Sequence, residues 1–326
     1  MKDYTVRIAD VSDKKRVLQL LDDVFNKQQR SAANTRDNEF WNWKFEDNVF
    51  GKAIIHIIES QNQELLAVGS MWPWQFQSGV KLLNAYQMCD TVVSEKARGQ
   101  GLFSVLNKNR IKYAKENNVD FLFNFPNKNS LKGYLNMGWS FLGKLPWHIK
   151  VLKPYSLLKN LSNNEQKLRI SVPNEYRIDA VNYTKKVIEK NISIHKSTAF
   201  YNWRYKNHPT RDYGIIKYET GNKKSFAIFT LSGKENFVEI IITDLYCQKG
   251  LEKKLLKKII ETSKKMNATI IYMVSDKNIE NSYFFRNGFV LKKNKNLVCL
   301  PINIANENKV MNIKMWDLFA GMHDSI

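Results

Sequence analysis

Apolar and polar positions alternate from Tyr4 to Ala9, then shift to a helical period in which Val17, Leu18, Leu20, Leu21, Val24 and Phe25 share one face behind a Ser12-Asp13 cap. The chain therefore opens as a β-α unit. Polar residues from Gln28 to Thr35 predict a loop, followed by a short aromatic helix over Glu39 to Phe45 and a break at Gly51. Ala53 to Glu59 and Leu65 to Trp74 read as strands joined by a Ser60-Gln61-Asn62-Gln63 turn, and Ser78-Gly79 turns the chain into a third antiparallel strand, Val80 to Val93. Helical periodicity returns from Leu102 to about Lys115. A buried strand (Asp120 to Asn124), a short helix (Ser130 to Asn136) ended by Gly138, and a hairpin over Trp139 to Leu152 complete this half.

The second half repeats the first. Phe40-Trp41-Asn42-Trp43-Lys44-Phe45 is echoed by Phe200-Tyr201-Asn202-Trp203-Arg204-Tyr205, Asp90-Thr91-Val92-Val93 by Asp244-Leu245-Tyr246-Cys247, and Leu135-Asn136-Met137-Gly138-Trp139 by Phe285-Arg286-Asn287-Gly288-Phe289. Two copies of one fold are expected, as domains 1–152 and 153–326, with the boundary in the polar segment around Lys153 to Lys167 that carries Pro154 and a Ser162-Asn163-Asn164 turn. The fold class is α/β (α+β mixed): in each domain a central mixed, mostly antiparallel sheet is flanked by helices. Trp316-Asp317-Leu318-Phe319 reads as a final strand, with Asp324 in a polar tail.

The length, 326 residues, suffices for two such cores, and no apolar run is long enough to span a bilayer. The N-terminus lacks a secretory layout, so a cytoplasmic protein is expected. Cys89, Cys247 and Cys299 lie far apart in apolar runs and read as buried thiols, not as a disulfide framework or metal site. The net charge of +20 comes from lysines spread over helix faces and turns, with no arginine-rich or aromatic-interleaved stripe, which argues against a nucleic-acid partner.

The chemistry concentrates between Cys89 and Trp139. A strand runs into Arg98-Gly99-Gln100-Gly101, a turn with little side-chain bulk, and a helix follows at once, so backbone N–H groups crowd one spot and make an anion site. These residues, with Leu102-Phe103, the strand before them, Asn127, and the Tyr134-x-x-x-Gly138-Trp139 ending, resemble the GCN5-related N-acetyltransferase (GNAT) family, whose phosphate loop reads Arg/Gln-x-x-Gly-x-Gly/Ala. Phe103 stands where that family places a small residue. A dinucleotide-binding turn is the rival reading, but Asp120 begins the next strand instead of ending it.

The resemblance implies acetyl-CoA as co-substrate, with no metal. The pyrophosphate would lie on the amides of Gly99, Gln100, Gly101, Leu102 and Phe103 beside Arg98, Val92 and Val93 would offer main-chain groups to pantetheine, and Asn127 would also face the cofactor. Tyr134 matches the position of the family's tyrosine acid. Its counterpart, Phe284, lacks the hydroxyl, so packing alone does not require it.

Asp90 could take a proton from an ammonium as base, but Asp244 holds its place in a copy that lacks the loop, which favours a shared structural task. No histidine occupies a base position, and His56 reads as a satisfied structural residue. Trp41, Trp72, Trp74 and Phe125 are candidates to line the acceptor site, with Phe76 beside them; Trp43 and Trp203 recur in both halves and read as core. In the second copy the interval from Asp244 to Leu251 is five residues shorter than that from Asp90 to Leu102, leaving Gln248-Lys249-Gly250 in place of the loop. The expectation is an N-acetyltransferase acting by direct transfer to a small-molecule amine, with an amino sugar as the first candidate. A Fem-type aminoacyl transferase using charged tRNA and a non-catalytic acyl-CoA-binding module are the alternatives.

Overall fold

The computed structural model describes residues 4–28, 37–161, 168–179, 191–234, 236–274, 279–304 and 307–323. The loop expected after Gln28, the turn at Ser162-Asn163-Asn164 and the Asp324 tail lie outside these residues. The chain falls into two compact units that are not continuous in sequence: residues 1–143, 186–195 and 295–316 form the first, and 144–185, 196–294 and 317–326 the second.

In the first unit β1 (Tyr4–Ile8), α1 (Lys14–Gln28), α2 (Asn38–Trp41), β2 (Ile54–Ser60), β3 (Leu65–Ser78), β4 (Lys81–Val93), α3 (Leu102–Glu116), β5 (Phe121–Asn124) and α4 (Lys128–Asn136) follow the expected order. The aromatic helix is not uniformly α: one turn of α2 passes into a π-helical turn, Asn42–Glu46. β1 to β4 pair antiparallel in sequence order, and β5 lies parallel to β4. Alternation sorts the side chains to two faces. Ile57, Val68 and Val92 meet Val17, Leu21 and Trp41 on one face; Ile58 and Ala67 meet Leu102 and Leu106 of α3 on the other.

The second unit comprises β6 (Ser140–Val151) from Lys144 onward, α5 (Pro154–Leu161), β7 (Leu168–Ile170), α6 (Thr198–Tyr201), β9 (Gly214–Thr220), β10 (Lys223–Lys234), β11 (Phe237–Tyr246), α7 (Glu252–Lys265), β12 (Ile270–Val274), α8 (Asn281–Arg286) and the first residues of β13 (Val290–Pro301); the intervening short strand β8 (Ser193–Ile194) belongs to the first unit, paired with β3. β10 pairs antiparallel with β9, β7 and β11, and β12 is parallel to β11, so this sheet is also mixed and mostly antiparallel. A second π-turn, Asn202–Lys206, follows α6 as the first follows α2.

Two expectations change. Trp139 to Leu152 is not a hairpin but one strand, β6, whose Trp147–Val151 segment pairs with β12, while Val298–Pro301 of β13 pairs with β5. Each half thus contributes its last strand to the other unit's sheet. That is why a cut at 152/153 falls inside the second unit: pairing with a strand distant in sequence outweighs a weak local turn signal. Trp316 is not part of a strand. It makes one bridge to Ile192, its indole N–H donates to the Val310 carbonyl at 2.8 Å, and its ring packs on Phe76, Phe121 and Phe123.

An ion network ties β1, α1 and β2 together. Arg7 donates to Asp13 at 2.6 Å and to Glu59 at 2.7 Å, and Arg16 joins both carboxylates. Arg7 holds the Asp13 carboxyl well below the usual carboxylate range. A depressed carboxyl stabilises the fold above its unfolded-state pKa, and the contribution is lost as pH falls through the native value. Asp13→Asn is expected to cost about 2 kcal/mol near pH 7, because two guanidinium groups lose a partner, and to flatten the loss of stability toward about pH 3. Urea titrations of both proteins at the two pH values check this.

Candidate active site

Pairing between β4 and β5 stops at Gln87 and Phe123, although β4 runs on to Val93. From Met88 the two strands are no longer paired, and among the described residues no strand takes the β5 side of β4. Val92 and Val93 remain paired with Val68 and Ala67 of β3 on their other side. Just before them, Asp90 and Thr91 oppose the single residue Gly69, forming a bulge in which Asp90 takes φ 43°.

The turn after β4 enters α3 through Gly99 (φ 80°) and Gly101 (φ 74°), the second of which is the N-cap. A left-handed backbone at both positions calls for glycine, and a Cβ at either would meet no atom within 4 Å. Among the described residues the amides of Gly99, Gln100, Gly101, Leu102 and Phe103 donate to no protein acceptor, and the first turn of α3 carries no acidic residue. Free amides at the positive end of a helix dipole suit a phosphate. Arg98 lies beside them, half exposed, 3.7 Å from Glu95. Phe103 is accommodated because residue 133 is glycine: a Cβ there would lie 2.7 Å from the Phe103 ring.

The same place in the second unit is filled. Gly250 (φ 90°) precedes α7, but its amide donates to the Glu252 carboxylate at 2.9 Å. A carboxylate from the helix's own first turn occupies the position an anion would take.

Tyr134 projects from α4 to the divergence of β4 and β5. It is 1% exposed, edge-on to Phe103 and Trp139, and its hydroxyl accepts a hydrogen bond from Asn124 Nδ2 of β5 at 2.8 Å. Thr91 of β4 and Arg110 of α3 adjoin the same oxygen. Burial pushes the phenol up from its ordinary value, while Arg110, Asn124 and Thr91 pull it back.

Asp90 is buried with Lys44, whose ammonium lies 2.6 Å from Oδ2, so this oxygen is already engaged. Asp244 is held likewise, by Lys196 at 2.7 Å and the Tyr205 hydroxyl at 3.3 Å. Asn127 is the N-cap of α4, its Oδ1 accepting from the amides of Asn129 and Ser130. The reading of His56 as satisfied does not hold. Its Nδ1 has no hydrogen-bond partner, and burial, aided by the Arg110 charge, lowers its pKa to about 4, so it is neutral.

Trp72 and Trp74 share the face of the sheet opposite α3, rings 5.0 Å apart, with the Trp72 indole donating to the Lys44 carbonyl at 2.7 Å. Phe123 continues this aromatic row toward Phe125 at 6.1 Å. Trp41 sits apart from it, in the core beneath α1. Three residues not singled out from the sequence join the site. Arg110 interrupts the buried stripe Leu102, Leu106, Ala114 on α3. Gln87 and Ser70 stand among Trp72 and Trp74 on the aromatic face, fully buried, their side-chain polar atoms without protein partners. The signal was available as polar residues at apolar positions of a four-residue and a two-residue period.

A family model described as an acetyltransferase (GNAT) domain matches residues 5–142, the segment that carries the open strand pair, the free amides and Tyr134. The chain thus carries a GNAT acetyltransferase domain over this segment. That domain marks the protein as an acyltransferase. No curated protein matches the chain by sequence. Among solved structures it is similar to a conserved protein of Enterococcus faecalis V583 described as a probable N-acyltransferase (TM-score 0.63, 11% identity, 92% of this chain and 73% of that one). It is also similar to a GCN5-related N-acetyltransferase of Anabaena variabilis (0.62, 11%, 92% and 73%) and to the N-myristoyltransferase of Saccharomyces cerevisiae with bound myristoyl-CoA (0.53, 12%, 93% and 83%). At such identities these likenesses speak for the fold, and they extend over both units of this chain.

Proposed function

We propose that this protein transfers the acetyl group of acetyl-CoA directly to the amine of a small molecule, with an amino sugar as the first candidate, using one cofactor site in the first unit. The observation that carries the reading is the contrast between the two helix starts: free amides at Gly99 to Phe103, a carboxylate-filled equivalent at Gly250. The pyrophosphate would rest on those amides near Arg98, and pantetheine would run along the open edge of Val92 and Val93. In that pose the thioester reaches the divergence of β4 and β5, beside the Tyr134 oxygen.

The amine nitrogen then attacks the thioester carbon, the C–S bond breaks, and Tyr134 supplies the proton for the departing thiolate. With His56 neutral and Asp90 engaged by Lys44, the ammonium proton leaves through water. Trp72, Trp74 and Phe125 form the acceptor wall, and the unpaired amide of Gln87 and hydroxyl of Ser70 among them suit an acceptor that carries hydroxyl groups. Trp41 takes no part. The second unit, lacking the loop, serves as a cofactor-free GNAT-like domain.

The free loop amides favour this over a tRNA-dependent aminoacyl transferase, which would need no pyrophosphate site. The test is release of CoA thiol from acetyl-CoA against a panel of hexosamines, polyamines and lysine peptides. A hexosamine is expected to be turned over with the highest kcat/KM; turnover of lysine peptides alone, or of none of the panel, rejects the amino-sugar reading.

A further inference from the structure

Arg110 occupies a position that the period of α3 reserves for an apolar side chain. Leu102, Leu106, Arg110 and Ala114 follow one another at intervals of four, and all are buried. Room for the guanidinium comes from Gly69 of β3, where a Cβ would lie 2.8 Å from Arg110 Cζ. Nη1 donates to the Ser70 carbonyl at 3.1 Å, and Nη2 donates to Thr91 Oγ1 at 2.9 Å and Asn107 Oδ1 at 2.8 Å, while Nε has no acceptor. None of these partners is a carboxylate. Buried arginines are ordinarily matched by an anion, because taking the charge out of water costs several kcal/mol that neutral dipoles recover only in part.

The groups around this charge are the Tyr134 phenol of α4, the Cys89 thiol of β4 and the neutral His56 of β2, with Tyr113 stacked edge-on against His56. Two of the strands that diverge at the site meet at the Tyr134 oxygen: Asn124 of β5 donates to it, and Thr91 of β4, which adjoins it, is itself held by Arg110. The guanidinium therefore faces an oxygen that is neutral at rest and becomes negative only if it gives up its proton.

We propose that Arg110 is the built-in counter-charge of the Tyr134 oxygen, positioned through Thr91, so that the missing anion of this buried cation is the phenolate formed during turnover. The inference rests on the reading of Tyr134 as the acid. As the C–S bond breaks and the C–N bond forms, the sulfur takes the Tyr134 proton and the negative charge passes to the phenolic oxygen beside Arg110. The proton shed by the amine into water later restores the phenol. An interaction that strengthens only when charge develops lowers the barrier and leaves ground-state binding alone. Arg110 is on this account a positioning residue that acts through Tyr134.

The test needs no knowledge of the acceptor. Tyr134 is replaced by trifluorotyrosine, whose phenol titrates at lower pH, and its ionisation is followed by fluorine NMR in the full chain. Arg110→Met and Thr91→Val are each expected to shift the titration upward, the first by at least about one unit, a tenfold change in acidity, whereas Arg110→Lys stays close to the parent. An unmoved titration in Arg110→Met, or in Thr91→Val should the methionine variant fail to fold, overturns the proposal. So does a lysine variant that shifts as far as methionine. Acetyl-CoA calorimetry on the same samples reads the underlying function separately: absence of binding rejects the acetyltransferase reading whatever the titration does.

Discussion

Gly101→Glu is expected to abolish acetyl-CoA binding. Residue 101 has φ 74° and caps α3, so a glutamate there is strained by about 1 kcal/mol or more and places a carboxylate where the pyrophosphate would lie. Like charge at a helix N-terminus adds repulsion on top of the lost amide contacts. Together these effects predict at least about a 100-fold loss of affinity, read by calorimetry as one site per chain in the parent and none in the variant. The second unit supplies the natural precedent, since Glu252 already occupies the Gly250 amide. Glu252→Gln is nevertheless expected to leave both stoichiometry and affinity unchanged, because the second unit lacks the Arg-Gly-x-Gly turn and a neutral amide oxygen can still accept from Gly250. Two sites in the parent would end the asymmetric reading.

That asymmetry was legible in the amino-acid sequence because it is local. The Arg98-Gly99-Gln100-Gly101 turn, its shortened counterpart at Gln248-Lys249-Gly250, and the Tyr134/Phe284 pair need only short-range comparison, and strand and helix periods placed β1 to β5 and α3 with small errors at the ends. Three things were not legible in this way. The exchange of β6 and β13 between the sheets depends on which distant strand completes each edge, and nothing within Trp139 to Leu152 encodes that choice. The engagement of Asp90 by Lys44 depends on a π-turn that carries the Lys44 side chain inward, while Asp244 finds its cation on a different segment, at Lys196. The pattern of the two copies is the same, but the partner differs. Arg110 and Gln87 did break their local periods, yet a polar residue in an apolar stripe announces only that something must satisfy it. What satisfies it is a property of the assembled face.

The same distinction governs the other large effect. Tyr134→Phe removes one oxygen from a site that otherwise packs as before: the ring contacts with Phe103 and Trp139 are apolar, and the second unit already accommodates a phenylalanine, Phe284, fully buried at the matching place. Stability should therefore fall by the hydrogen bond from Asn124 and the contacts of Thr91 and Arg110 with the same oxygen, about 1 to 2 kcal/mol, and acetyl-CoA affinity should hardly change. Turnover is a different matter. Without the phenol the thiolate must leave unprotonated or wait for water, in a pocket where Phe103, Trp139 and burial keep water scarce, so kcat should drop by about 100-fold or more while KM for acetyl-CoA stays within a few fold. In the parent, activity should hold into alkaline solution, because burial raises the Tyr134 phenol and the acid form persists above the ordinary tyrosine range. A kcat for Tyr134→Phe within a few fold of the parent, measured on any amine the parent acetylates, would remove Tyr134 from the reaction and, with it, the reason for a charged Arg110 behind it.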